Sequence, residues 1–423
     1  MKSYLEDFLQ FIYASPTPYH AAKEAGVRLA EADFVPLEEN KTWEMKKGEK
    51  YFLIKDQALT CAFILPKKSA KKILISASHL DSPALKLRPD LHSPTEHSQL
   101  GVEIYGGPLL NSWLNVDLGI AGRVLYSDKR NKIKTKWIDF RDFPLFIPQL
   151  PIHLDREVND KGLQLNKQDH LKPIFSFSKV DILKVLQKNF SFDNLLSYDL
   201  FLFPLEAPRL VGYEQEMIAS YRLDNLSSAY AQLAAIIDSE ADDDTLKIAI
   251  FWDHEEIGSK THLGADSIFV MDLLHRILGK DEAMQCRERA FAISIDVAHA
   301  LNPNFPAKFD PQFTPVLGRG IALKYSAAQK YTNSALTTAV MKLLCEKEKV
   351  PFQNYVARND TPSGSTVGPM MAASLGMRSI DIGCSLLSMH STREVISSKD
   401  QYDLYRLLKA AYESSTLFEE TNE

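Results

Sequence analysis

A chain of 423 residues that is 45% hydrophobic and 25% charged has an ordinary globular composition and enough apolar surface for more than one cored domain. Its formal net charge of −6 leaves no basic footprint for nucleic acid or an anionic membrane, and no apolar run approaches the ~20 residues of a membrane span. Cys61, Cys286, Cys345 and Cys384 are scattered without a CxxC pair, and Met1-Lys-Ser-Tyr-Leu-Glu-Asp carries acids where a signal peptide needs an apolar core, so a cytoplasmic protein with reduced thiols is expected.

Leu5, Phe8, Leu9, Ile12 and Tyr13 recur at helical spacing and predict an opening amphipathic helix. Ser15-Pro-Thr-Pro18 breaks it, and Thr17 with Pro18 reads as the N-cap and first-turn proline of a second helix through about residue 32. Short strands follow at 51–54 and 59–65. Ile73-Leu-Ile-Ser-Ala-Ser78 reads as a buried strand that ends in His79-Leu-Asp81-Ser-Pro83. From about residue 91 to residue 211 helical periodicity fades. Short aromatic and β-branched runs at 102–105, 122–126 and 136–140 alternate there with Gly, Pro and Asn turns. Residues 91–211 are therefore expected to be a β-rich insertion that splits a domain made of residues 1–90 and 212–423.

The α/β alternation then resumes. Leu226, Ala229, Tyr230, Leu233 and Ile237 form a helical stripe, and the apolar run 246–252 stops at Asp253-His-Glu-Glu256 before a Gly258-Ser259 turn. Such a bounded run suits a strand buried on both faces, and open α/β sheets bind ligands beyond the carboxyl ends of such strands. Ala290-Phe-Ala-Ile-Ser-Ile295 is a further strand, ending at Asp296-Val-Ala-His299. Helix (334–346), strand (352–356), helix (366–375) and strand (378–382) lead to His390. A closing helix capped by Ser397 or Ser398 carries Leu404, Leu407, Leu408 and Ala411. The expected fold class is α/β, a three-layer and mostly parallel sheet with helices on both faces, interrupted by the β-rich segment.

Five strand ends or adjoining loops carry possible metal ligands: His79, Asp224, Glu256, Asp296 and His390. Two imidazoles with three carboxylates suit a pair of zinc-like ions, and such N/O sites also accept Mn or Co. Two ions about 3.5–4 Å apart need a shared ligand, and a carboxylate can bridge while an imidazole cannot. Asp224, in Arg222-Leu-Asp-Asn-Leu226, is the expected bridge. Asp81 lies two residues past His79, on the same face of a strand, and is expected to accept the second ring N–H of that histidine. Glu255 is expected to be the general base toward a metal-activated bridging water. Singly, each residue has a plain structural alternative: a hydrogen-bonded strand-end histidine, or an N-cap in the case of Asp224. The joint pattern is what points to chemistry.

Ser15-Pro-Thr-Pro-Tyr-His-Ala21, Ser78-His-Leu-Asp-Ser-Pro83, Arg222-Leu-Asp-Asn-Leu226, Asp253-His-Glu-Glu-Ile-Gly-Ser259, Asp296-Val-Ala-His-Ala300 with Asn302-Pro-Asn304, Arg358-Asn-Asp360 with Gly364-Ser-Thr366, and Ser388-Met-His-Ser-Thr-Arg-Glu394 together resemble the M18 metallopeptidases, the aspartyl aminopeptidase family, nearly end to end. The resemblance implies His79 and Asp296 on one metal, Glu256 and His390 on the other, Asp224 across both, and Glu255 as base. It implies that the insertion is a dimerisation domain and that subunits assemble as a tetrahedral dodecamer acting on peptides. It also implies that His153 reaches a neighbouring subunit's site and that Lys324 meets an acidic substrate side chain, with His299 at the same pocket. Composition and periodicity alone read His153 as loop surface and Lys324 as a solvated edge. Two departures lie near that pocket: Asn302 stands where many members have a histidine, and Lys308-Phe-Asp-Pro-Gln-Phe-Thr-Pro315 replaces a His-rich segment. The same constellation would also serve a related carboxypeptidase or deacylase, or a binding protein that keeps metals for structure.

Overall fold

Two strands buried along their whole length, Thr245–Trp252 and Ala290–Ile295, require a packed layer on each face. The computed structural model describes residues 1–89, 98–362 and 364–414. In it these strands flank Lys72–His79 at the centre of a nine-stranded sheet. The order across the sheet is Val35–Pro36, Lys50–Lys55, Leu59–Ile64, Thr245–Trp252, Lys72–His79, Ala290–Ile295, Arg378–Gly383, Ile321–Tyr325 and Phe352–Val356. The four strands from Thr245–Trp252 to Arg378–Gly383 are mutually parallel. Leu59–Ile64 on one side and Ile321–Tyr325 on the other pair antiparallel to them. The α/β class with a mostly parallel sheet therefore holds, with reversed strands flanking a parallel centre.

Side-chain alternation divides the core into two layers. Ile73 and Ile75 pack with Phe269, Val367 and Met371, whereas Leu74, Ala249 and Phe291 pack with Leu226, Leu344 and Leu407. The first layer is thus covered by the helices Phe269–Leu278 and Val367–Leu375, and the second by Leu223–Ile237, Ala335–Glu348 and Ser398–Glu413. Helices Lys2–Ala14 and Pro18–Glu31 complete the second layer. Thr17 precedes the second helix as expected, but its hydroxyl meets His20 Nδ1 at 2.8 Å instead of capping the backbone. Ser397 caps the closing helix through the Asp400 N–H.

A five-stranded antiparallel sheet stands beside this body, ordered Val102–Tyr105, Ala84–Leu87, Asn194–Pro204, Leu118–Ser127 and Ile133–Leu145. The expected boundary at residue 91 lies outside the described residues, as do residues 415–423. The β texture read between 91 and 211 hides a helix, Ile182–Phe190, whose Asp181 side chain accepts the N–H groups of Leu183 and Lys184. Nine residues are too few for periodicity to stand out among strands. A third sheet joins Arg209–Val211, Met217–Ser220, Glu394–Ser397, Ser385–Leu387 and Ala298–His299. It is built partly from chain that has just left the central strands, so it lies past their carboxyl ends.

Gly122 shows how tightly the antiparallel sheet is drawn. Its φ is +146°, and a Cβ there would stand 2.0 Å from the Asp199 carbonyl oxygen on the neighbouring strand. Gly122→Ala is expected to cost about 1–3 kcal/mol through this overpacking. A thermal melt of the variant should show a clear drop in midpoint, and a wild-type midpoint would mean that the two strands can part at no cost.

Candidate active site

Three neighbouring parallel strands end in polar residues at one edge. His79 is the last residue of Lys72–His79, Asp253 follows Thr245–Trp252, and Asp296 follows Ala290–Ile295. After Trp252 the chain folds through a single 3-10 turn, Glu255–Ile257, with His254 (φ 63°) before it and Gly258 (φ 97°) after it. Gly258 supplies backbone that a side chain would strain. The turn brings both Glu255 and Glu256 to the cleft, whereas a continued strand would have sent adjacent residues to opposite faces.

Asp224 arrives from the helix Leu223–Ile237, which starts irregularly. Arg222 is left-handed (φ 67°), Asp224 and Asn225 leave helical φ/ψ, and the peptide bond between them is cis. Asn225 Nδ2 donates to the Ile295 carbonyl (2.8 Å), and Ser82 Oγ donates to the Asp224 carbonyl (2.6 Å). These bonds fix Asp224 between the strand ends. Its carboxylate does not cap the helix: Oδ1 is buried without a hydrogen-bond partner.

All five residues singled out as ligands meet around one cavity of about 320 Å³. His79 Nε2 lies 3.5 Å from Asp224 Oδ1, 3.7 Å from Asp296 Oδ1 and 3.9 Å from Glu255 Oε2. His390 Nε2 lies 3.3 Å from Asp224 Oδ2 and 3.5 Å from Glu256 Oε2. Each ring sets its other nitrogen 3.0 Å from a backbone carbonyl, Asp81 for His79 and Gly107 for His390. A carbonyl only accepts, so Nδ1 carries a proton in both rings and Nε2 is the inward nitrogen, whose electron pair becomes available to a cation once its own proton is lost. Asp81 therefore orients His79 mainly through its main chain, its carboxylate being farther away at 3.4 Å. That carboxylate instead accepts the N–H groups of Glu255 (3.1 Å) and Glu256 (3.0 Å) and the hydroxyl of Tyr105 (2.8 Å), so it fixes the turn bearing both glutamates.

The electrostatics follow from crowding acids in a dry place. Burial, with Asp296, Asp81 and Asp224 nearby, pushes the Glu255 carboxyl up to about 8. Burial and Asp224 hold Glu256 well above the carboxylate range. For His79, burial disfavours the imidazolium, but Asp224, Asp296 and Asp81 outweigh it and raise the ring well above its usual value. For His390 burial likewise opposes, and Asp224 carries the ring up to about 9. Asp224 is held below the usual range, because the two imidazoles overcome its burial. The site is thus protonated where a cation would otherwise balance it. Ligand atoms of His79, Asp224 and Glu256 lie within 4.8 Å of one another, and the buried Asp224 Oδ1 has no well-formed hydrogen bond, the His79 ring standing 3.5 Å away, so the residues present fit a divalent cation.

Lys324 is 1% exposed, which overturns its reading as a solvated edge. Its strand, Ile321–Tyr325, runs between two others, and the alternation that puts Leu323 in the helix-covered core turns Lys324 into the cavity. Its ammonium lies 3.7 Å from Asp296 Oδ2 and 5.3 Å above the Tyr331 ring. His299 also lines the cavity, edge-on to Tyr355 with centroids 6.3 Å apart. His153 is exposed in a turn and does not line this cavity. Tyr105 and the Gly107 carbonyl were not legible beforehand: the one lies in the antiparallel sheet, and the other is backbone, which no residue type announces. A larger cavity of about 400 Å³ lies elsewhere, beside Tyr4, Tyr230 and Tyr405. Its charged groups are already paired, Asp238 with Tyr405 and Asp7 with Arg28 and Tyr230.

Comparison with known proteins agrees with this geometry. The family model for aminopeptidase I zinc metalloproteases (M18) matches residues 11–412. A probable M18 family aminopeptidase 2 of Ectopseudomonas mendocina is 37% identical over 427 residues, covering 98% of this chain and 99% of that one. Among solved structures, Ape4 in its complex with Nbr1 superposes with a TM-score of 0.93 at 33% identity, covering 97% of this chain and 85% of that one. The S. cerevisiae mApe1 dodecamer superposes at 0.83 with 26% identity, covering 97% of each. A match along almost the whole chain, over a cleft of this composition, means that the chain belongs to the M18 family and is a metallo-aminopeptidase.

Proposed function

We propose that this aminopeptidase releases single acidic residues, Asp or Glu, from the N-termini of peptides, using two divalent ions of which zinc is the first candidate. The observation that carries the reading is the position of Asp224, whose Oδ1 faces His79 while its Oδ2 faces His390. One carboxylate shared between two imidazole-bearing half-sites is what a pair of ions requires. His79 and Asp296 would hold one ion, Glu256 and His390 the other. When bound, the ions supply Lewis acidity, polarising the scissile carbonyl and making water a usable nucleophile at neutral pH.

The chain's own residues do the rest. Glu255 faces the cavity without an ion-pairing lysine or arginine among the described residues, and a nearby cation would draw its raised pKa back toward neutrality. A carboxyl in that range can take the proton of the attacking water and return it to the leaving amine. Asp81 holds the Glu255 backbone in place for both transfers. Lys324, buried in the cavity lining together with His299, offers a charge-assisted partner to an acidic side chain.

Residues 1–90 and 212–423 would form the catalytic domain and residues 91–211 a dimerisation domain. Leu150, Ile152 and Leu154 around His153 support this, being large apolar side chains left exposed beside one another. A tetrahedral dodecamer, in keeping with the dodecameric mApe1, would let His153 complete a neighbour's cleft. The cytoplasm suits four buried free thiols, and no helix among the described residues is long and apolar enough to cross a membrane.

Glu255→Gln should lower kcat by roughly 10²–10⁴ on an aminoacyl anilide while both ions remain bound; an unchanged kcat would remove Glu255 from proton transfer. Lys324→Ala should cut kcat/KM for N-terminal Asp and Glu by at least about tenfold, through loss of a charge-assisted pair, and leave neutral residues within a few-fold. Equal losses across the panel would discard the acidic preference. Metal uptake at pH 7 should release protons, because Glu255, Glu256, His79 and His390 all carry them in the ion-free cleft and must lose them to ligate or to act as base. Affinity should therefore rise from pH 6 to pH 9. Calorimetric titration in buffers of different ionisation enthalpy reads the release directly, and a buffer-independent heat would contradict it.

A further inference from the structure

We infer that Glu394 is a positioning residue that holds the two halves of the metal cleft at a fixed separation; this rests on the two-ion reading above. Glu394 opens the strand Glu394–Ser397 and is 1% exposed. Its Oε2 accepts the backbone N–H of Asp224 (2.9 Å), and its Oε1 accepts the backbone N–H of His390 (2.6 Å). One carboxylate thus spans two segments far apart in sequence, each of which carries a side chain of the cleft.

Both segments need such a tie. His390 sits in left-handed backbone (φ 66°), as does Ser388 two residues before it (φ 58°), a conformation that side chains other than glycine adopt at a cost. Asp224 lies in the non-helical start of its helix, so its N–H has no partner within the helix. Glu394 itself is fixed by pairing with Ser220 on the adjacent strand, shortly before Arg222 and Asp224. The carboxylate therefore works from a rigid base, and its two oxygens set where the Asp224 and His390 main chains stand. The Nε2–Oδ2 distance of 3.3 Å between their side chains follows from that spacing. A buried carboxylate with two amide partners and no paired lysine or arginine among the described residues is expensive to keep, and an apolar residue would pack there at lower cost. Retaining it is explained by what it holds.

Glu394→Gln keeps the shape but replaces one acceptor with an NH₂ facing an N–H donor. Glu394→Asp keeps the carboxyl group but, one methylene shorter, cannot reach both amides. The affinity of each ion is read by titrating chelator-stripped protein with Zn²⁺ against a competing chelator, alongside the melting temperature of the stripped protein. In Glu394→Gln one binding step should weaken by about 10–100-fold, the usual effect of losing a group that orients a ligand. Glu394→Asp should weaken the same step by less. Activity at saturating Zn²⁺ should return to within a few-fold of wild type. Wild-type affinities in either folded variant would overturn the inference, even if the stripped protein melts lower, because that pattern belongs to a merely structural carboxylate. Should Glu394→Gln not fold, the Glu394→Asp titration decides alone. Wild-type protein that binds fewer than two Zn²⁺ would count against the two-ion reading and not against the clamp.

Discussion

Concentrated negative charge away from water is the condition under which the rest of this structure makes sense. Asp81, Asp224, Asp253, Glu255, Glu256, Asp296 and Glu394 gather about two imidazoles, and Asp81 and Asp253 are almost wholly buried. Burial and Asp81 push the Asp253 carboxyl up to about 8, so even a residue behind the cleft registers the crowding. No fold stabilises itself with such a cluster; it costs stability and has to be carried by packing elsewhere. The double-layered core does that. Strands apolar on both faces leave their polar ends at a single edge, and three adjacent ends place charge where side chains from separate segments converge.

How much of this could be read beforehand depended on whether a residue's role shows in its own neighbourhood. His79, Asp253 and Asp296 could be read because each directly follows an apolar run whose length marks a strand and whose abrupt end marks its exit. Glu255 and Glu256 could be read as an acid pair, but their common direction could not, since it depends on left-handed backbone at His254 and Gly258. Lys324 misled because a lysine in a short strand is normally solvated. Only the flanking strands, paired from elsewhere in the chain, make its strand interior. Asp81 lies beside His79, but its carboxylate serves the glutamate turn and its carbonyl serves the ring, a division that side-chain logic does not anticipate. The α/β elements that were read have bounds within a few residues of those observed, whereas the helices Phe269–Leu278 and Lys280–Arg287 were not read at all and Ile182–Phe190 was lost among strands.

The antiparallel sheet has a closer relation to the chemistry than its position beside the main body suggests. Tyr105 at the end of one of its strands donates to Asp81, and the Gly107 carbonyl accepts from the His390 ring. The Leu109 N–H donates to the His390 carbonyl (2.8 Å), while Ser112 bonds Thr392 twice, accepting its N–H (3.0 Å) and its hydroxyl (2.8 Å). A strap of chain between Tyr105 and Ser112 thus holds His390 and Thr392 at atoms that Glu394 does not reach. His390 is gripped at its amide by Glu394 of one sheet, and at its carbonyl and ring by the loop that follows Tyr105 in another.

That arrangement bears on how assembly and chemistry are linked. Ile73 and Ile75 of the central sheet share one continuous apolar cluster with Leu118, Val124 and Leu200 of the antiparallel sheet, so the two bodies do not slide past each other freely. If the antiparallel sheet pairs subunits as proposed, the strap ties the surface that pairs to the imidazole that completes the cleft.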